Sequence, residues 1–388
     1  MRDRQLTEPG AVLYKSGNRI LVGFGVVEEW RAYTLDQAVY MLKDMQSFKG
    51  FRVGYMSYDF GARWNGVTQK SDDDFKTPLL HFIAPEEIRF YEEGEILPDW
   101  FGEHMDFSAT KPVADLSKGQ YTSRIKKIHD YLREGETYEV NFAQRFQGEF
   151  KGEPLEVFRR LNQFNPSPYA CYFNFNPVTV VSCSPERLVS GEFGGNGQML
   201  VETRPIKGTI SRGETSKEDE QRIAELLGSE KNEAELNMIV DLARNDLGRV
   251  CDVGSVSVDQ HRVVESYSHV HHTMSNITGR LSKGRDWLDV LKAFFPGGSI
   301  TGAPKFRTME IIDELETCGR GIYTGSAGYI TPEGEFDFNI LIRTIAFQQN
   351  QMRYGYHSGG AIVMDSKPTE EYKETLDKAA ALEKAMGM

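Results

Sequence analysis

Glutamates on helical spacing, a lysine set between proline and glycine, and a run of histidines are the residues of this chain whose types and spacing could do chemistry. The stretch VETRPIKGTI (201–210) puts Arg204 and Lys207 around Pro205, with Gly208 and Thr209 directly after. Neither helix nor strand needs that order, and it presents a short, basic, sharply turned surface. EEYKETLDK (370–378) sets Glu371, Glu374 and Lys378 at i, i+3 and i+7 on one helical face. Read alone, Glu374 and Lys378 form an ordinary exposed ion pair. KNEAELNMIVDLARND (231–246) places Glu235 at the edge of a dense apolar stretch, where a carboxylate needs a partner or a cation. Two helices that each offer a glutamate to one hard divalent cation make an Mg2+ arrangement, with the other positions left to water and substrate oxygens.

Other motifs carry less. SCSPERL (182–188) sets Glu186 after Ser184-Pro185; the proline lacks a ladder donor and marks a strand end, where a side chain can project into a cleft. By itself that is a turn glutamate. FPGGSITGAPK (295–305) departs from a phosphate loop, because Lys305 follows Pro304 rather than glycine and precedes Phe306 rather than Ser or Thr. It reads as a tight turn into a helix. In SHVHHTM (268–274), His269 and His271 share one face of a strand and His272 the other. The cysteine spacing gives no support for zinc.

The 388 residues are 39% hydrophobic and 26% charged, which suits a globular protein with a sizeable core. A net charge of −12 and a pI of about 5.3 argue against a nucleic-acid binder, which carries a basic footprint. An anionic small molecule is still allowed, because a few local cations or a metal override the global sign. Cys171, Cys183, Cys251 and Cys318 form no CxxC pair, so a reducing compartment suits them better than a disulfide scaffold. MRDRQLTEPG lacks the apolar segment of a signal peptide, and no run approaches the roughly 18 apolar residues of a membrane span. The expectation is a cytoplasmic protein with no nucleic-acid or membrane partner.

Those side chains need elements to position them. Strand signals fall at 20–27, 51–60 and 79–91, around a helix over 35–46. The polar, proline-containing stretch 105–118 reads as a joint. Beyond it the pattern predicts a helix near 119–134 and strands at 138–150, 169–175, 178–184 and 197–203. A helical stretch over 216–246 follows, broken near Gly228, then strands near 249–258 and 263–279 and helices near 285–294 and 303–316. Strands at 324–330, 336–347, 352–356 and 360–364 lead to a closing helix over 368–386, with Pro368 in its first turn. Strands arriving in hairpin-like groups favour an α+β fold of mostly antiparallel sheets. The expected division is a strand-rich region over 1–110 and a catalytic region over 118–384, both parts of one globular unit.

Taken together, YEVNFAQRF (138–146), SCSPERL, TRPIKGT (203–209), AELNMIVDLARNDLGRV (234–250), FPGGSITGAPK, GSAGYI (325–330), FNILIRT (338–344), GGAIVMDS (359–366) and EEYKETLDK resemble the chorismate-utilising enzyme family. That family includes the large subunits of anthranilate synthase and aminodeoxychorismate synthase. The resemblance implies two facing, mostly antiparallel sheets flanked by helices, with an Mg2+-chorismate cleft between them. It also bears on Lys207. Anthranilate synthases typically carry P-I-A-G-T, whereas P-I-K-G-T resembles aminodeoxychorismate synthase, in which a lysine amine attacks C2 of chorismate and ammonia then adds at C4. The amine must be uncharged to attack, and burial with the nearby charges of Arg204 and a metal is expected to favour that form.

The same resemblance implies that Glu186 is the general acid, and that Glu235 and Glu374 are Mg2+ ligands with Glu371 on a metal-bound water. Tyr329 and Arg343 correspond to the residues holding the enolpyruvyl carboxylate; Lys378, Thr209, Gly208 and Gly359 to further carboxylate contacts, with His272 lining the site. Three positions depart from the pattern: Glu139 where amine-transferring relatives carry glutamine, Asn232 in place of an acid, and Ala361 in place of glycine. No tryptophan-pocket motif of the L-L-E-S kind is seen. No cysteine sits in the glycine-flanked turn of a glutamine amidotransferase, so a separate amidotransferase subunit is the expected ammonia source. Anthranilate or isochorismate synthesis, and a non-catalytic binding role, remain the competing readings.

Overall fold

A computed structural model describes every residue except 1–3, 93–94, 96–98, 100, 196 and 268–269. Alternating apolar residues open the chain as strands: β1 (Val12–Ser16), β2 (Arg19–Phe24) and β3 (Glu28–Ala32). Helix α1 (Leu35–Ser47) starts at a capping box between Thr34 and Gln37, a device worth about 1 kcal/mol. Then come β4 (Arg52–Met56), α2 (Tyr58–Trp64), β5 (Leu80–Ala84), β6 (Glu87–Glu92), β7 (Phe107–Ala109) and β8 (Val113–Ala114). Helix α3 (Lys118–Arg133), β9 (Glu139–Gly152), α4 (Pro154–Phe164), β10 (Tyr169–Phe173) and β11 (Thr179–Ser184) follow. The middle of the chain forms β12 (Arg187–Phe193), β13 (Met199–Thr203), β14 (Ile206–Ser211), α5 (Ser216–Gly228), α6 (Glu230–Gly248), β15 (Ser257–Ser266), β16 (Val270–Arg280) and α7 (Trp287–Phe294). The last part holds β17 (Gly302–Ala303), α8 (Lys305–Leu315), β18 (Ser326–Ile330), β19 (Phe336–Asn339), β20 (Thr344–Gln348), β21 (Arg353–Ile362) and α9 (Pro368–Ala385).

The described strands gather into two antiparallel sheets, of eleven and ten strands, the α+β architecture expected. The chain folds as two units, Met1–Pro185 with Ile300–Pro332 and Asn339–Met388, and Glu186–Ser299 with Glu333–Phe338. In the first, the larger sheet runs β17-β9-β21-β20-β11-β10-β1-β2-β6, with β7 and β8 also pairing β9. A ladder of β18, β4, β5 and β3 faces it: Val12, Tyr14 and Phe173 of one sheet share a buried cluster with Val53, Tyr55 and Ala327 of the other. The outer face of the large sheet is covered by Leu155, Phe158 and Leu161 of α4 and Ala379 and Leu382 of α9. Each large apolar side chain so buried contributes roughly 1.5–3 kcal/mol. Below this face Glu316, after α8, ion-pairs with Arg320 at 2.6 Å and accepts the Ala143 N–H of β9 at 2.9 Å. Removing one partner of a buried pair costs about 3–5 kcal/mol.

In the second unit β13, β14 and β15 all pair with β16, and β12 pairs with β13. Helix α6 packs on β14 and β16 and buries Leu236, Ile239, Val240, Ala243 and Leu247, the stripe its 3.6-residue period predicts. The break expected near Gly228 is the junction of α5 and α6, where Ser229 caps the second helix.

Several elements differ from expectation, for local reasons. The strand expected over 51–60 ends at Met56, because Ser57 accepts the Phe60 N–H at 3.1 Å and starts α2. The segment expected as a strand over 263–279 is divided between β15 and β16. That over 336–347 is divided between β19 and β20, with Arg343 at φ +51° in the connection. The two strands expected around Gly359 are one, β21. Helix α4 and strands β12 and β14 lie outside the expected elements. Cys171, Cys183, Cys251 and Cys318 are free and buried. No described helix is long and apolar enough to cross a membrane.

Candidate functional site

The segment around Lys207, expected to be neither helix nor strand, is a strand with one residue too many. β14 sets Lys207 opposite Thr273 and Thr209 opposite His272, so the register shifts at Gly208. The φ of +79° there is a left-handed value that favours glycine. A Cβ on Gly208 would also stand 3.0 Å from the Asn232 side chain and 3.1 Å from Leu226. Thr273 Oγ1 donates to the Lys207 carbonyl, and Thr209 Oγ1 lies 2.6 Å from His272 Nδ1. The bulge therefore re-aims the residues on either side of it.

Lys207 Nζ lies 3.8 Å from Glu235 Oε2, with the side chains 11% and 14% exposed. Glu235 is flanked by a second cation, Lys231, 3.8 Å from its other oxygen. Arg204, expected to press its charge on Lys207, is ion-paired with Glu265 instead, so much of that charge is compensated. Glu186 is 6% exposed and accepts the Ser299 hydroxyl at 2.8 Å. Burial pushes its carboxyl up to about 7, while Ser299, the charge of Lys207 and the Ile206 amide offset part of the rise. An acid that gives up its proton near neutral pH suits general acid catalysis. The Ser299 contact has no counterpart in the sequence reading, where FPGGSITGAPK is only a turn. The hydroxyl beside Gly298 is the one hint a sequence offers. His269 lies outside the described residues.

The first unit gathers a second group. Tyr329 of β18 is buried, stacked on Phe51 at 5.4 Å and edge-on to Tyr14 at 5.8 Å. Arg343 holds φ +51°, a strained backbone value of the kind kept at functional sites. Among the described residues no carboxylate pairs with its guanidinium, which makes one long contact, 3.5 Å, to Asn165 Oδ1. Burial pushes the guanidinium down. A partly buried cation without a described carboxylate partner suits an incoming carboxylate, which it can grip through two parallel bonds. On β21 a Cβ at Gly359 would collide with the Phe142 carbonyl. Lys378 Nζ donates to the Gly359 carbonyl at 3.0 Å and pairs with Glu374 at 2.6 Å.

Glu371 and Glu374 converge. A Cβ on Gly360 would stand 3.1 Å from Glu374 Oε1 and 3.6 Å from Glu371 Oε2. Two carboxylates over bare backbone fit a hard divalent cation that keeps water and substrate oxygens in its other positions. Among the described residues no group of three or more His, Cys, Asp and Glu side chains is placed to hold a metal ion. Of the three departures from the family pattern, Glu139 is fully buried on β9. Asn232 stands beside Gly208, and Ala361 pairs with Asn141 in the sheet.

A family model described as chorismate binding enzyme matches residues 11–384. The chain is 38% identical over 375 residues to aminodeoxychorismate synthase component 1 of Bacillus subtilis, covering 88% of this chain and 78% of that protein. It is 45% identical over 273 residues to anthranilate synthase component 1 of Aquifex aeolicus, covering 70% of this chain and 54% of that protein. Among solved structures, anthranilate synthase component I from Streptococcus pneumoniae matches with a TM-score of 0.80 at 28% identity, over 94% of this chain and 92% of that one.

Proposed function

Because this chain belongs to the chorismate-binding enzymes, we propose that it aminates chorismate at C4, giving 4-amino-4-deoxychorismate, as its likeness to aminodeoxychorismate synthase component 1 suggests. The observation that carries this is Lys207, 11% exposed at a bulge of β14, in the same unit as the buried acid Glu186. The Lys207 amine attacks C2 of the ring, the double bond shifts, and the C4–O bond breaks. Glu186 gives its proton to the departing hydroxyl, which leaves as water. Ammonia then bonds to C4, the ring double bonds shift back, the C2–N bond breaks to return the lysine amine, and the proton released from nitrogen restores the Glu186 acid. Two easier steps replace one hard substitution.

By the same resemblance Arg343 and Tyr329 are assigned to the enolpyruvyl carboxylate, Thr209, Lys378 and the amides of Gly208 and Gly359 to further carboxylate contacts, and His272 to the lining of the site. By the family resemblance Glu235 and Glu374 are assigned as Mg2+ ligands and Glu371 to a metal-bound water; the ion, when bound, would neutralise the ring carboxylate and fix its orientation. The designation component 1 among the relatives supports a partner glutaminase as the source of ammonia. Forming p-aminobenzoate for folate would then need a further enzyme that eliminates pyruvate.

A second reading is anthranilate synthesis, favoured by the 45% identity to an enzyme of that name; in it Lys207 only pairs with a substrate carboxylate. Incubating the purified chain with chorismate, Mg2+ and ammonium salt, and resolving products by mass and fluorescence, separates the two. Aminodeoxychorismate is expected. Anthranilate as the main product overturns the assignment, and no consumption of chorismate leaves a binding role.

A further inference from the structure

The loop after α7 touches two parts of the second unit at once. A Cβ on Gly298 would clash with the end of the Leu242 side chain of α6, so a side chain there would force Leu242 or the loop to move. The next residue, Ser299, donates from Oγ to Glu186 Oε1 at 2.8 Å. We infer that Ser299 is a positioning residue for the acid step, fixing the rotation of the Glu186 carboxyl and choosing which oxygen carries the proton.

The inference rests on Glu186 as the proton donor of the proposed reaction. A hydroxyl donating to Oε1 makes that oxygen the acceptor, so the proton of the neutral acid belongs on Oε2. When the C4–O bond breaks, that proton passes to the departing oxygen and the electron pair stays on the carboxylate. The bond from Ser299 then becomes charge-assisted and strengthens, so it stabilises the transition state more than the ground state. Among the groups that face Glu186 are Lys207 and the Ile206 N–H on β14 and Ser299 on the loop, and of these Ser299 is the neutral side chain whose removal leaves the others in place. Gly298, wedged against α6, keeps the hydroxyl within reach.

The test is the pH profile of kcat/KM with chorismate and ammonium. Ser299→Ala is expected to lose roughly tenfold in rate and to move the basic limb upward by about one pH unit. Ser299→Thr, which keeps a hydroxyl, should restore both. Gly298→Ala, which keeps Ser299 but displaces the loop, should reproduce the loss. A limb absent in Glu186→Gln but unmoved in Ser299→Ala overturns the inference alone. A limb that persists in Glu186→Gln overturns the general-acid role and the inference with it.

Discussion

Lys207 and Lys231 share one carboxylate: each ammonium stands 3.8 Å from a different oxygen of Glu235. The charge of Glu235 is divided between two long contacts, so the carboxylate is held in place without being locked to either lysine. Lys231 is 56% exposed, so its share is weakened by solvent screening.

Lys207→Ala removes the proposed nucleophile and leaves the Gly208 bulge intact. C4 amination should fall by on the order of a hundredfold or more, with product drifting toward C2 chemistry, since alanine there resembles the anthranilate pattern. Mass spectra and anthranilate fluorescence read this directly. Amination at the parent rate would remove the covalent role.

Glu186 must be protonated to act. Its carboxyl is raised above the ordinary range, to about 7, so the acid form is present below that pH and kcat/KM should fall as pH rises through it. Glu186→Gln should abolish this limb and lower the rate by about 10²–10⁴-fold. A parent profile with no limb falling on the alkaline side contradicts the sign.

Arg343 separates function from stability. Among the described residues its guanidinium has no carboxylate partner and makes one long hydrogen bond, to Asn165 at 3.5 Å. Arg343→Gln removes a partly buried charge with no described counter-ion, so thermal unfolding should stay level or move up. KM for chorismate should rise by roughly 10–100-fold. A lower Tm with unchanged KM would show that the arginine braces the fold instead.

What is legible in the sequence is what is local. The stripe of Leu236, Ile239 and Val240, the junction at Gly228 and the pairing of Glu374 with Lys378 follow from a 3.6-residue period that neighbouring residues carry among themselves. The family motifs also name the side chains with chemistry, because residue type is all that such a match needs. Strand β14 is different. Its bulge exists only because β16 offers one residue fewer opposite Gly208, and Asn232 closes the space above it. The compensation of Arg204 by Glu265 and the bond from Ser299 to Glu186, 113 residues apart in the chain, likewise depend on distant partners. Sequence by itself determined which groups are available, since that is a property of each residue. Tertiary structure decided their protonation and aim, because burial and hydrogen bonding are properties of what surrounds a group.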